Sequence, residues 1–192
     1  MSNDKGTITI ETERLILRRF TLEDARGMYE NFASDPETNK YIYVTIPTSV
    51  EETRQIIKVF IYQYGFGNYN WIIELKETGE VIGNIEAVRH FSKNRVCDVG
   101  YEFGSKYWNH GYATEALKAV INYLFEDEDI EIITASHMSR NPASGRVMEK
   151  AGMIKKMVIQ RSIYDKNTHT RDDEVFYTIF NSDYFKNKKK II

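Results

Sequence analysis

The stretch that decides the fold runs from Val99 to Ala116 and reads VGYEFGSKYWNHGYATEA. Its first part, up to Phe103, is typical of a β-strand, and from Gly111 onward apolar residues recur with the period of a helix. The apolar positions of that helix are Ala113, Ala116, Leu117, Val120, Ile121 and Leu124. The stretch therefore predicts a strand, a short loop and a long helix.

The start of this helix is a candidate anion site. The first amides of a helix have no partners within the helix and lie at the positive end of its dipole. The backbone N–H groups from Gly111 to Thr114 can therefore cradle a phosphate or pyrophosphate, and a glycine lets the ligand approach the backbone. The alternative is a plain strand-to-helix turn whose glycine only relieves strain.

Strands and helices continue on both sides of this stretch. The predicted strands cover about residues 14–20, 69–75, 80–88, 97–103, 130–135, 153–164 and 172–180. The predicted helices begin at the capping signals of Thr21 and Ser49, at Gly111, and at Asn141-Pro142. This order predicts an α/β (α+β) domain with a mixed central sheet of about seven strands flanked by about four helices.

Length and composition indicate one folded domain. The chain has 192 residues, with a hydrophobic fraction of 42% and a charged fraction of 28%, as in ordinary globular proteins. We expect a single domain over residues 1–185 and a short basic tail over residues 186–192. The formal net charge of -2 provides no global basic field that would recruit DNA or an anionic membrane.

The sequence lacks the marks of secreted and membrane proteins. The single cysteine, Cys97, cannot form an internal disulfide, and no Asn-x-Ser/Thr site occurs. The N-terminus has no apolar signal-peptide core, and no apolar run approaches the ~20 residues of a membrane helix. We therefore expect a cytoplasmic protein with no membrane partner.

Several other catalytic signatures are absent. The chain has no G-x-x-x-x-G-K-[ST] loop, and Asn70 stands where a dinucleotide fingerprint beginning at Gly65 would need its third glycine. It also has no H-E-x-x-H or G-x-S-x-G motif, and its histidines and Cys97 lack metal-ligand spacing. These observations argue against Rossmann enzymes and against the common nucleotide, metal and serine hydrolases, and we expect no metal.

The segment from Trp108 to Ala116 resembles the acyl-CoA pyrophosphate loop of the GNAT N-acetyltransferases, whose pattern is Q/R-x-x-G-x-G/A, and specifically that of the ribosomal-protein-alanine acetyltransferase-like branch. Trp108 departs from the Gln or Arg of the first position, so only backbone donation carries over there. Four further motifs of that branch follow in order within about residues 11–180: Glu13-Arg14-Leu15-Ile16-Leu17-Arg18, Gly83-Asn84-Ile85, Asn141-Pro142-Ala143-Ser144 and Lys150-Ala151-Gly152-Met153.

The resemblance implies a GNAT-like fold, acetyl-CoA as co-substrate, and direct attack of a primary amine on the acetyl thioester in a ternary complex. The cofactor-binding residues that it implies are Phe103, Trp108, Asn109, His110, Gly111, Tyr112, Ala113, Thr114 and Asn141. For Asn141, which would bond the pantetheine arm, the alternative is a plain helix N-cap.

This reaction needs a base for the amine, a polarised carbonyl and a proton for the leaving thiolate. Glu102 and Asp98 are candidate bases because they alternate in phase on one strand and can point to the same face. Glu86 is a third candidate, and a solvated sheet edge is the alternative explanation for these carboxylates. Backbone N–H groups of residues 100–103 can polarise the acetyl carbonyl.

Ser144 is the candidate proton donor for the thiolate. It stands where other members of the resembling family use a tyrosine, and a serine hydroxyl can donate a hydrogen bond. A plain residue in the first turn of a helix is the alternative.

Three classes of function stay open. The leading one is an N-acetyltransferase for a primary amine, with a protein or peptide N-terminal amine favoured. A second acetylates small molecules such as polyamines or aminoglycosides. The acidic runs at residues 126–129 and 172–174 could attract such cationic amines, and the alternative is that these runs are solvated loops. A third uses the acyl-CoA cradle for sensing or assembly without turnover. Ribosome association through the C-terminal lysines and a homodimer are partner hypotheses that the sequence leaves open.

Overall fold

The computed structural model describes residues 5–41, 46–89, 95–165 and 169–188. Its strands are β1 (Ile10–Glu11), β2 (Leu15–Arg18), β3 (Tyr69–Leu75), β4 (Val81–Arg89), β5 (Val96–Phe103), β6 (Ile132–Met138), β7 (Ile154–Asp165) and β8 (Thr170–Phe180). They form one sheet in the order β1-β2-β3-β4-β5-β6-β8-β7. Neighbouring strands are antiparallel except β5 and β6, which are parallel. The predicted mixed sheet is confirmed, and the short β1 brings it to eight strands.

The helices are α1 (Ala25–Met28), α2 (Pro36–Asn39), α3 (Val50–Gln63), α4 (Tyr112–Glu126), α5 (Pro142–Lys150) and α6 (Asn181–Lys188). The helix expected after Thr21 is not continuous. A 3-10 turn (Leu22–Asp24) precedes α1, and a π-turn (Tyr29–Ala33) follows it. α2 and α6 are additional to the four expected helices.

The expected helix starts form as the capping residues predict. The Ser49 hydroxyl accepts a hydrogen bond from the Glu52 amide at 3.2 Å, and Asn141 Oδ1 accepts one from the Ser144 amide at 3.3 Å. Asp24 Oδ2 accepts from the Thr21 amide at 2.7 Å. At the end of α5, Gly152 has a φ of +93°, as a helix C-cap glycine requires.

Helices cover the sheet on two sides. On one side Val99, Leu117 and Ala135 belong to the main core, which joins the sheet to α4 and α5. On the other side Ile72 and Val81 pack with residues of α1 and α3 in a second, smaller core. Because side chains alternate along a strand, β5 presents its even-numbered residues to the α1 and α3 side.

The β5–β6 pair separates part of the way along its length. It is in register from Val96 opposite Ile132 to Asp98 opposite Thr134. Beyond that point β5 stays paired with β4 as far as Phe103, while β6 stays paired with β8 as far as Met138. We call the gap between the diverging strands the β5–β6 opening. It places unpaired backbone groups next to the start of α4 and α5.

The C-terminal lysines are only partly described. α6 includes Lys186 and Lys188, and the Lys188 ammonium pairs with Glu126 of α4. The segment expected to form a tail therefore begins within a helix, and residues 189–192 lie outside the described residues.

Candidate active site

Two backbone amides of β5 face the β5–β6 opening. The Gly104 amide donates to the Ile82 carbonyl at 3.1 Å, and backbone groups of successive strand residues point alternately to either side. The amides of Tyr101 and Phe103 therefore point away from β4. Since pairing with β6 has ended by Asp98, these donors are outside the ladder and available to a carbonyl oxygen in the opening.

Three carboxylates lie in a row on the α1 and α3 side of the sheet. Glu102 faces Asn84 across the β4–β5 pair, Glu86 faces Gly100, and Asp98 follows one rung further. Glu86 lies over Gly100, because a Cβ at that glycine would be 3.2 Å from Glu86 Oε1. The structure thus brings the three expected bases to one face and places Glu86 between the other two.

The pKa values of two of these groups are raised. Burial, and then the charges of Glu86 and Asp35, raise the pKa of Glu102 to about 8. Burial, and then the charge of Asp98, raise the pKa of Glu86. Although burial opposes it, hydrogen bonds from Ser105, the Glu37 amide and Thr38 lower the pKa of Asp35. The pKa of Glu102 therefore lies near neutral pH, where its ionised fraction can take up a proton readily, as a general base must.

Asp98 differs from Glu102 in its position. Its Oδ1 accepts a hydrogen bond from Thr134 Oγ1 at 2.7 Å, on the last rung that joins β5 to β6. Four residues along a strand separate the two carboxylates by roughly 13 Å. Asp98 consequently lies where the strands begin to diverge, and Glu102 lies beside the opened part.

The loop between β5 and α4 presents uncapped amides. The Trp108 indole N–H donates to the Phe103 carbonyl at 2.7 Å, so this side chain ties the loop to the end of β5. Asn109 and Gly111 both have left-handed backbone conformations, with φ values of 63° and 84°. Gly111 is the N-cap of α4 and supplies no side-chain cap. The amides of Tyr112, Ala113 and Thr114 are therefore left for an external acceptor.

Arg14, which the sequence analysis did not assign to the site, braces this loop. Its Nη1 donates to the His110 carbonyl at 3.0 Å, and its guanidinium lies 4.6 Å from the centre of the Tyr112 ring. It also forms an ion pair with Glu115 at 2.6 Å. That ion pair neutralises the one acidic side chain in the first turn of α4, which preserves the attraction of the helix start for anions. The position of Arg14 in the first family-like motif was the available signal.

Ser144 and Tyr101 meet at the start of α5. The Tyr101 hydroxyl lies 2.9 Å from Ser144 Oγ and donates to the Ser144 carbonyl at 2.9 Å. Burial raises the pKa of Tyr101, although the hydrogen bond to Ser144 opposes this. Asn141 Oδ1 caps α5, as the plain N-cap interpretation had it. The sequence did not single out Tyr101 as a site residue. Side chains alternate along a strand, so the signal was that Tyr101 lies on the face opposite to Glu102.

The acidic runs considered as amine-attracting surfaces are paired within the protein. Basic partners of the first run are Lys188 for Glu126, Lys5 for Asp127, Arg89 for Glu128 and Arg95 for Asp129. In the second run, Asp172 pairs with Arg140, Asp173 accepts from the Arg161 amide, and Glu174 accepts from Ser136. These acidic runs therefore serve structural contacts.

The described part of the chain holds neither a metal-binding cluster nor a membrane-spanning helix. Within residues 5–41, 46–89, 95–165 and 169–188, no group of three or more His, Cys, Asp or Glu side chains is placed to hold a metal ion. Over the same ranges, no helix is both long enough and apolar enough to cross a membrane.

Comparisons with known proteins agree with this geometry. Residues 14–154 match the family model for the acetyltransferase (GNAT) domain. The uncharacterized N-acetyltransferase YoaA of Bacillus subtilis is 33% identical over 161 residues, which are 83% of this chain and 90% of that protein. A GNAT-family acetyltransferase from Bacillus anthracis has the same fold, with a TM-score of 0.80 and 30% identity over 91% of this chain and 99% of its own.

A more distant structure shares the fold. RimL, a ribosomal α-N-protein acetyltransferase solved in complex with coenzyme A, superposes with a TM-score of 0.77 at 18% identity, over 90% of this chain and 98% of its own. The uncapped start of α4 and the β5–β6 opening fit an acyl-CoA, because they offer amides to a pyrophosphate and to a thioester carbonyl. The chain belongs to the GNAT family of acyl-CoA-dependent N-acetyltransferases.

Proposed function

We propose that this protein transfers the acetyl group of acetyl-CoA directly to a primary amine in a ternary complex, with the α-amine of a peptide or protein favoured. The observation that carries the proposal is the β5–β6 opening. Beside this opening lie the backbone donors of β5, the Glu102 carboxylate of the same strand and, on α5, the Ser144 hydroxyl.

The residues at the start of α4 form the expected binding site for acetyl-CoA, which when bound supplies an activated acetyl thioester. The amides of Tyr112, Ala113 and Thr114 would hold its pyrophosphate, on a loop shaped by Asn109, His110 and Gly111. Phe103 and Trp108 fix that loop to β5 through their mutual hydrogen bond. Asn141 has its Oδ1 engaged as the cap, so only its Nδ2 group would donate to the pantetheine arm.

The amides of Tyr101 and Phe103 are placed to stabilise negative charge on the acetyl carbonyl oxygen. Fixed backbone donors need no rearrangement when that charge develops, so they lower the barrier more than water does. The backbone next to Phe103 lies close against Asn31, because a Cβ at Gly104 would lie 1.9 Å from the Asn31 carbonyl oxygen.

Glu102 is the proposed general base. Its pKa of about 8 matches that of an α-ammonium group, ~7.7–8.0, so proton transfer between them is nearly thermoneutral. Transfer from a lysine ammonium, with a pKa of ~10.4, is less favourable by roughly 250-fold. This match supports the preference for α-amines.

Ser144 is the proposed proton donor for the departing thiolate, with its own proton replaced from solvent, and Tyr101 positions it. A carbonyl oxygen only accepts, so the single proton of the Tyr101 hydroxyl is donated to the Ser144 carbonyl. The tyrosine oxygen then remains as an acceptor 2.9 Å from Ser144 Oγ. Tyr101 therefore holds the serine side chain at the opening.

The test is release of free thiol from acetyl-CoA by the purified protein, with N-terminal peptides, lysine peptides, spermidine and aminoglycosides as acceptors. We expect acceptor-dependent release and an acetylated product by mass spectrometry, greatest with α-amines. Coenzyme A binding without transfer to any amine in this panel would contradict the proposal and favour the sensing or assembly function.

A further inference from the structure

Asn84 is buried with an unsatisfied oxygen. The residue is 8% exposed, and its Oδ1 has no hydrogen-bond partner among the residues that the structure describes. It lies on β4 directly opposite Glu102, on the same face of the sheet. A buried polar atom without a partner is costly, and in an active site it commonly marks a ligand that the protein expects.

The carboxylates beside Asn84 are also without compensating groups. In the described part of the chain, neither Glu86 nor Glu102 has a side-chain hydrogen-bond or ion-pair partner. The charged groups that act on them are the carboxylates of Asp35, Asp98 and Glu86 itself. Among the described residues, no cationic side chain contributes to the pKa of Glu86 or Glu102, so these carboxylates are acceptors for cationic groups of a ligand.

These acceptors are spread over more than one rung of the sheet. Asn84 and Glu102 share one rung, and Glu86 lies over Gly100 on another. The two rungs are two residues apart along the strands, or roughly 7 Å. An amine that reacts beside Asn84 and Glu102 therefore leaves Glu86, over Gly100, to a second donor group of the same molecule.

We propose that the preferred acceptor carries a second cationic group close to its reacting amine. Asn84 Oδ1 accepts a hydrogen bond from the reacting amine, and Glu86 binds the second ammonium or guanidinium group. The inference rests on the proposed function and specifies the substrate class of the same site. This chemistry occurs in small diamines and in peptides whose first or second residue is lysine or arginine.

The test compares matched acceptors in the thiol-release assay. 1,4-Diaminobutane is compared with butylamine, and an Ala-Lys peptide with the same peptide carrying norleucine in place of lysine. We expect kcat/KM to be at least 10-fold higher for the dicationic member of one pair, as a charge pair on a partly buried site requires. The pair that shows the preference identifies the source as a diamine or a basic peptide.

Variants connect the preference to these residues. Glu86→Gln is expected to reduce the ratio of kcat/KM between dicationic and monocationic acceptors to within about 3-fold of one, because it removes the acceptor of the second cationic group. Asn84→Ala is expected to lower kcat/KM for both members of each pair, because it removes an acceptor of the reacting amine that both members carry. Glu77→Gln, an exposed carboxylate in the β3–β4 turn, should leave the ratio unchanged. Near-ultraviolet circular dichroism confirms that each variant is folded.

Three outcomes overturn the inference. Equal kcat/KM for both members of each pair would do so while leaving the proposed acetyl transfer intact. A dication preference that persists in Glu86→Gln would place the second cationic group elsewhere. Absence of thiol release with every acceptor would overturn the proposed function and this inference together.

Discussion

Glu102 is held in an environment that disfavours its charge. Burial and the neighbouring carboxylates of Glu86 and Asp35 all act in the same direction on its pKa. Such a penalty is typical of a functional site, because a carboxylate whose pKa is raised toward neutral pH is a stronger base than an ordinary one. Neutralising this group should therefore stabilise the protein while impairing its chemistry.

The stability of the protein is expected to depend on pH through Glu102. A raised folded-state pKa means that the folded state favours the protonated form, so stability is lost as pH rises from the unfolded value of about 4.5 through about 8. Glu102→Gln should match the wild type in melting temperature at pH 5 and exceed it at pH 9. Differential scanning calorimetry at both pH values measures this.

Glu51→Gln is a control, because the pKa of Glu51 is shifted in the direction opposite to that of Glu102. Hydrogen bonds from Gln55 and Arg54 lower the pKa of Glu51, so its charge favours the folded state and the amide should give no stabilisation at pH 9. Equal melting temperatures of Glu102→Gln and wild type at pH 9 would show that folding does not raise the pKa of Glu102.

Predictions for single residues were correct where the alternation of side chains along a strand decides which face a residue occupies. The alternation of β5 placed Glu102 and Asp98 on one face, and the structure has them there. The unsatisfied oxygen of Asn84 could not be predicted, because it depends on which groups the folded chain fails to bring near it. Arg14 was missed for the same reason, since its partners His110 and Glu115 are distant in sequence.

At the scale of elements, the start of α4 depends on the backbone of Gly111. Its φ of +84° is unfavourable for any residue with a Cβ, and a Cβ there would approach only the Arg14 guanidinium, at 3.5 Å. Substitution therefore strains the loop without a steric clash. The amides that would hold a pyrophosphate lie directly after this residue.

Gly111→Ala should weaken coenzyme A binding. We expect a dissociation constant raised at least 5-fold by isothermal titration calorimetry, because the strained loop misdirects the first amides of α4. Gly79→Ala is the matched control, with a φ of +72° and nothing within 4 Å of its Cβ. Both variants should lose about 1–2 kcal/mol of stability, and only the first should lose affinity. Equal affinity in both would remove the α4 start from the cofactor site.

Element boundaries show where local signals are sufficient. The starts of α3 and α5 follow from caps that act within three residues, Ser49 with Glu52 and Asn141 with Ser144. β6 was expected at residues 130–135 but covers Ile132–Met138. The Glu131 amide donates to the Arg95 carbonyl at 2.8 Å, so pairing with a distant strand sets the start of β6.

At the scale of the whole molecule, a buried carboxylate joins distant parts of the chain. The Glu128 side chain is fully buried and pairs with Arg89 of β4 at 2.9 Å. It also accepts from the Tyr69 hydroxyl of β3 at 2.7 Å, the Tyr123 hydroxyl of α4 at 2.6 Å and the Lys5 amide at 2.7 Å. This cluster fixes the end of α4 against the sheet.

Glu128→Gln should lower the free energy of unfolding by about 3–5 kcal/mol, because it removes the charge that pairs with Arg89 inside a buried cluster. The neighbouring Asp129→Asn removes an exposed ion pair with Arg95 and should cost under about 1 kcal/mol. Urea denaturation measures both. Similar losses in the two variants would contradict the structural role of Glu128.

The sequence predicted most of the architecture and less of the site. The order of strands and helices follows from hydrophobic periodicity and helix caps. The run from Glu126 to Asp129 was recognised as acidic, but the sequence did not indicate that Glu128 is buried. The β5–β6 opening likewise could not be predicted, because it forms where β5 stays paired with β4 and β6 stays paired with β8. Such competition between distant strands has no signal within a short window.

The most direct test of the account is the single-turnover rate of acetyl transfer by Glu102→Gln, measured beside coenzyme A affinity. With an acceptor amine of pKa ~10.4, the wild-type rate should rise more steeply with pH below about 8 than above it, because both Glu102 and the amine lose protons there. The variant should lose about 10²–10⁴-fold in rate and lose that change of slope, with unchanged affinity for coenzyme A. A variant that transfers acetyl groups at the wild-type rate with the same pH profile would contradict the assignment of Glu102 as the base.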